Sequence, residues 1–113
     1  MEASWTVIIS PEVASWYRSL QPSDQMLTDR MISRLAQRGN QLRMPHSRAL
    51  GNGLFELRFA IQQNTVEQRI TYIFDVGRRI VTLTTFRKTR DNETNQIARA
   101  RDKQATMKRE TSE

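Results

Sequence analysis

Three runs of alternating apolar residues follow one another between residues 54 and 86, joined by connections too short for anything but a reversal of direction. In "LFELRFAI", Phe55, Leu57, Phe59 and Ile61 alternate with Glu56, Arg58 and Ala60. In "VEQRITYIFD", Val66, Ile70, Tyr72 and Phe74 alternate with Glu67, Arg69, Thr71 and Ile73, and "IVTLTTF" follows the glycine-containing turn "VGRR". A period of two places one row of each run on a dry face and the other row on the opposite face. The runs therefore predict a three-stranded antiparallel meander whose second face carries Glu56, Arg58 and Arg69. In the last run Ile80, Thr82, Thr84 and Phe86 form one row that leads to Lys88, while Val81, Leu83 and Thr85 lead to Arg87.

Helices are predicted on either side of the meander. After the short β-rich "WTVII", Ser10 is a candidate N-cap and Pro11 sits at the first helical position, with Val13, Trp16, Tyr17 and Leu20 along one face. A second helix follows "QPSD", with Leu27, Met31 and Leu35 at four-residue spacing, Ile32 beside them, and Gly39-Asn40 as a C-cap. "QLRMPHSRALGNG" is expected to be a loop. "NETNQIARARDKQATMKRE" predicts a C-terminal helix over about residues 92–109. Its thin apolar stripe of Ile97, Ala100 and Met107 suggests that it lies loosely on the surface and frays before Glu113. The expected class is α+β: an antiparallel sheet packed on an N-terminal helical hairpin, with a C-terminal helix, in a single domain over residues 1–113.

Charge narrows the function. The net charge is +6, and residues 1–42 balance four arginines against four acids. Residues 43–113 hold fourteen cations against eight acids, so the whole excess lies there, and fifteen of the eighteen cations are arginine. The planar guanidinium fork matches phosphate, so a polyanion partner, nucleic acid first, is the leading expectation; a basic surface that aids solubility is the alternative. The chain has no cysteine, which excludes disulfides and thiolate metal sites, and no apolar stretch of membrane-spanning length. A cytoplasmic protein without a membrane partner, bound metal or cofactor is expected. With one histidine and no glycine-rich phosphate loop, metal, thiol and P-loop chemistries lack their parts.

Arginine on strands remains. Arg58 and Arg69 lie on adjacent strands, and Arg87, Lys88 and Arg90 leave the end of the next one in "FRKTRDN". Like charges that close repel one another unless an anion sits among them. Two readings stay open: a phosphate site, or cross-strand pairs with Glu56 and Glu67 at a solvent-exposed strand end. The patch holds more cations than those two glutamates can pair. Arg43 and Arg48 precede the strands and join Arg87 and Arg90 as candidate nucleic-acid contacts. His46 is a candidate acid or base by type, or simply loop surface.

"RMPHSRALGNGLFELRF", "QRITYIF" and "GRRIVTLTTFRKTRDNETNQIARARDKQ" resemble, in matching order, the RelE/ParE superfamily of type II toxin–antitoxin systems, most closely its HigB-like, phage-derived branch. The resemblance implies a β-α-α-β-β-β core with a C-terminal helix, and cleavage of mRNA in the ribosomal A site without a metal. It also implies neutralisation by a small antitoxin, expected to be of helix-turn-helix type. By position Arg58 matches the arginine of the "ELR" motif, Arg69 the phosphate-binding arginine of the next strand, and Lys88 the strand-end lysine. These three are the expected catalytic cations, with Glu56 or else His46 as base. The chain reads "FRKTRDNET" where the HigB-like pattern has a second lysine and a threonine-proline, and no tyrosine or histidine follows Tyr72. A ParE-like gyrase inhibitor and a non-catalytic nucleic-acid- or antitoxin-binding protein are the alternatives.

Overall fold

The computed structural model describes residues 4–111, with side chains described through Met107. The expected fraying of the tail before Glu113 falls outside that range. The chain runs β1 (Thr6–Ile8), α1 (Pro11–Arg18), α2 (Pro22–Arg38), β2 (Ser47–Gly51), β3 (Leu54–Ile61), β4 (Val66–Asp75), β5 (Arg79–Arg87) and α3 (Glu93–Thr111). Ser10 caps α1 as expected, its side chain accepting from the Val13 N–H with Pro11 following. Gly39 ends α2 at φ +54, where a Cβ would lie 2.0 Å from the Trp5 Nε1. Only glycine lets Trp5 close over that helix end.

The strands form one five-stranded sheet in the order β1-β5-β4-β3-β2. The meander β3-β4-β5 is antiparallel as the alternation predicts. Three features differ from the sequence expectation. The segment 41–53 is not all loop: Ser47–Gly51 pairs with β3 as an edge strand, one strand beyond the β-α-α-β-β-β core. Asn52 (φ 54) and Gly53 (φ 80) make the tight turn between them. The sheet is mixed, because β1 runs parallel to β5. The register of β4 on β5 also shifts between Ile70 and Tyr72. Tyr72 faces Thr82 but Ile70 faces Thr85, so Leu83 and Thr84 together oppose Thr71. This bulge splits the expected row: Ile80 and Thr82 belong to one face, while Thr84, whose hydroxyl bonds to Thr71, and Phe86, opposite Arg69, belong to the other.

Both faces are covered. One buries Val13, Met31 and Leu35 from the helices against Leu57, Ile70, Tyr72 and Ile80. The other buries Leu54, Ile73, Val81 and Leu83 against Ala100 of α3, with Leu50, Ile97 and Met107 packed around them. The helix α3 is therefore not loosely held. Arg99 donates to both Glu12 carboxylate oxygens at 2.7 and 2.8 Å, Arg101 to the carbonyls of Leu50 and Gly51, and Gln104 to that of Asn52. Among the described residues no helix is long and apolar enough to cross a membrane.

Candidate nucleic-acid interface

The hydrophobic core under α3 stops partway along the sheet. Beyond it, the same face carries Glu56, Arg58 and Arg69 on the middle strands and Arg48 on the edge strand. Register explains the gathering: Arg58 lies opposite Arg69, Glu56 opposite Thr71, and Arg48 opposite Glu56. Strand alternation then puts all four side chains on one face.

Glu56 is the centre of this group. Its side chain is 0 % exposed, and its Oε2 lies 3.6 Å from Arg48 Nη1, 3.7 Å from Arg58 Nε and 3.8 Å from Arg69 Nε. These are charge contacts without hydrogen bonds. Neither Glu56 oxygen has a hydrogen-bond partner among the described residues, and Arg58 Nε and Arg69 Nε have no acceptor either. Burial raises the Glu56 carboxyl above its ordinary value, Arg69 opposes the rise, Glu93 adds to it, and Arg48 and Arg58 oppose it.

The arginines differ in what else holds them. Arg69 is 3 % exposed, against the expectation that it faces outward; it donates to Glu67 Oε1 at 3.3 Å and to the Gln68 carbonyl at 3.1 Å. Arg48 pairs with Glu93 at 3.0 Å. Glu93 opens α3 and is the residue that sequence reasoning missed; its only signal was an acid in the first turn of a predicted helix. With it, three carboxylates face three guanidiniums, so the expected cation surplus does not exist inside this cluster. Arg58 is 24 % exposed, and its one hydrogen-bond acceptor among the described residues is the Met44 thioether at 3.0 Å. A thioether is a weak acceptor, so this guanidinium keeps donors available.

Beside Arg58 a shallow cleft of about 370 Å³ is lined by Met44, His46 and Glu67. His46 accepts at Nε2 from Arg34 at 2.8 Å, a guanidinium being a donor only. The structure thus brings His46 to Arg58. Lys88 is half-buried just past β5, and its N–H bonds at 2.8 Å to the carbonyl of Glu67, a residue that lines the cleft; Lys88 itself is not part of the lining. Arg87 pairs in register with Gln68 and so faces the helical-hairpin side, away from the cluster. Arg90 is exposed beyond the strand, and Arg43 is exposed and donates to the Asn40 carbonyl; neither joins the cluster. Among the described residues no group of three or more His, Asp or Glu side chains could hold a metal ion.

No curated protein matches the sequence. The family model described as "Phage derived protein Gp49-like (DUF891)" matches residues 15–105, from within α1 to near the end of α3, and so includes every member of the arginine cluster. That span is most of the chain, and the protein belongs to the Gp49-like family of phage-derived proteins.

Proposed function

We propose that this Gp49-like protein is a toxin of RelE/ParE type, in the HigB-like branch, that cleaves mRNA on the ribosome and is restrained by a small helix-turn-helix antitoxin. The observation that carries the reading is Arg58: a partly exposed guanidinium, fixed against a buried carboxylate, with only a thioether as acceptor among the described residues and a cleft in front of it. A phosphate oxygen displaces a thioether easily and gains a charge-assisted bond. The family assignment and the basic C-terminal two-thirds of the chain support the same reading.

In this account the scissile phosphate sits against Arg58 with Arg69 behind it, and the neighbouring ribose 2′-oxygen attacks phosphorus. Its proton passes to His46 once the hydroxyl replaces Arg34 at Nε2. The bond to the 5′-oxygen breaks, leaving a cyclic phosphate, and Lys88 protonates the departing oxygen. The cations stabilise charge that grows at phosphorus, and the ribosome supplies substrate orientation. Glu56, buried from solvent, acts as counter-ion that positions Arg58, Arg69 and Arg48; it does not act as base. Arg43, Arg48, Arg87 and Arg90 serve flanking phosphates.

A second reading, a non-catalytic nucleic-acid- or antitoxin-binding protein, is favoured by the balance of three carboxylates against three guanidiniums. Primer-extension mapping of transcripts after induced expression separates the two. Cuts within translated regions support the nuclease; growth arrest with intact transcripts, or altered DNA supercoiling, refutes it.

A further inference from the structure

A second cavity lies on the other side of the sheet from the arginine cluster. It holds about 490 Å³ between the α1–α2 turn and the ends of β4 and β5, and Trp16, Ser19, Gln21, Asp24, Gln68 and Arg87 line it. The volume falls in the range of small-ligand sites. Of these residues only Arg87, given above to flanking phosphates, already has a role in the proposed cleavage.

Its walls are fixed and chemically distinct. Trp16 is half-buried and meets Phe59 edge to face at 6.4 Å, so the indole is held from the core side while it lines the cavity. Gln68 is buried; its Nε2 donates to Thr85 Oγ1 at 2.8 Å, and that hydroxyl donates to the Arg69 carbonyl. Asp24 is buried and its Oδ1 accepts from the Gln62 N–H at 3.0 Å, which orients the carboxylate. Arg87 is exposed, and its side chain has no ion pair or hydrogen bond among the described residues. An aromatic plane, oriented amide and carboxylate groups, and a free guanidinium together match the three parts of a nucleotide: base face, base edge and phosphate.

Continuity with the cluster comes from the strand end. Gln68 and Arg69 are neighbours on β4 and point to opposite faces; Arg87 pairs with Gln68 and Phe86 with Arg69. A single strand crossing the end of β4 and β5 therefore meets cations on both sides of the sheet. We infer that the Trp16 cavity is a ribonucleotide subsite that takes the base and phosphate of a nucleotide flanking the one at Arg58. The inference rests on the RNA-cleaving reading. It adds a selectivity: the Asp24 carboxylate accepts from an exocyclic amino group and repels a carbonyl oxygen, so cytosine is held better than uracil.

Heteronuclear NMR of the whole chain, with the two indole N–H signals assigned by Trp16→Phe, tests this with cytidine monophosphate. The Trp16 signal moves saturably while that of Trp5, packed against Phe74 elsewhere, stays still. Arg87→Ala weakens the fit by about fivefold, the loss of one phosphate–cation contact, and uridine monophosphate binds about threefold more weakly than its cytidine counterpart. Linear drift, equal movement of both indoles, unchanged affinity in Arg87→Ala, or equal affinity for the two nucleotides each overturns the inference. Failure here with ribosome-dependent cutting intact removes the subsite alone. Saturable binding without cutting removes the nuclease alone.

Discussion

Burial raises the Glu56 carboxyl although three guanidiniums surround it, and among the described residues no N–H reaches either oxygen within hydrogen-bond distance to offset it. A carboxyl raised in the folded state binds its proton more tightly there than in the unfolded chain. Its contribution therefore favours the fold below the unfolded value and is lost as pH rises through the folded one. Glu56→Gln removes that dependence, so the difference in unfolding free energy between variant and wild type shifts in the variant's favour as pH rises from about 4 to 7. Urea unfolding across that range measures it, and a flat difference would show that Glu56 titrates normally. The arginines are expected to separate. Arg69→Ala strips a buried partner and costs about 3 kcal/mol, whereas Arg58→Ala, at a partly exposed position without a good acceptor, costs under about 1 kcal/mol. Chemical denaturation of both variants checks this; equal losses would place the two arginines in equivalent settings. Alternation made it legible that both share a face. The burial of Arg69 was not, because alternation assigns a side chain to a face without saying how closely its neighbours Glu56 and Glu67 fold around it.

Elements with a strong period could be read: α1, α2 and the three long strands are present where alternation and helical spacing put them, although α2 starts at Pro22, inside the "QPSD" expected to precede it. β2 was hidden because "SRALG" is short, lies at the edge and has no alternating apolar row. The β5 bulge was hidden because Leu83 and Thr84 both suit a strand, and only the partner strand reveals that two residues oppose one. α3 misled through its polarity. Its anchors are Arg99, Arg101 and Gln104, and most of their acceptors are backbone carbonyls, which no side-chain pattern announces. At Glu12, burial pushes the carboxyl up, but the Arg99 bond and the Thr85 N–H outweigh it and hold it below its ordinary value. A lowered carboxyl stabilises the fold above its unfolded value and loses that contribution as pH falls through the folded one. Arg99→Ala should cost about 0.5–1 kcal/mol at neutral pH, the pair being partly exposed, and the deficit should shrink in acid. Hydrogen exchange of α3 amides checks whether the helix loosens first; unchanged protection would mean that the apolar stripe alone holds it.

At the scale of the molecule, the sheet separates an arginine–glutamate cluster from a nucleotide-sized cavity, and the strand end between them carries Arg87 on the cavity side, with Lys88 following just past the strand. The cluster is balanced internally, so the basic excess available to a polyanion comes from cations outside it. The account then assigns different jobs to neighbouring residues. Lys88→Ala lowers the chemical rate, while Arg87→Ala weakens affinity and its salt dependence with little effect at saturation. The most direct test is single-turnover cleavage of mRNA on saturating programmed ribosomes by the wild type, Arg58→Ala and Lys88→Ala. The account predicts cutting by the wild type and a loss of about a hundredfold or more in rate for Arg58→Ala with its fold retained. It predicts a clear loss of rate for Lys88→Ala as well. A wild-type protein that leaves ribosome-bound mRNA intact, or an Arg58→Ala variant that cuts at the wild-type rate, would contradict it.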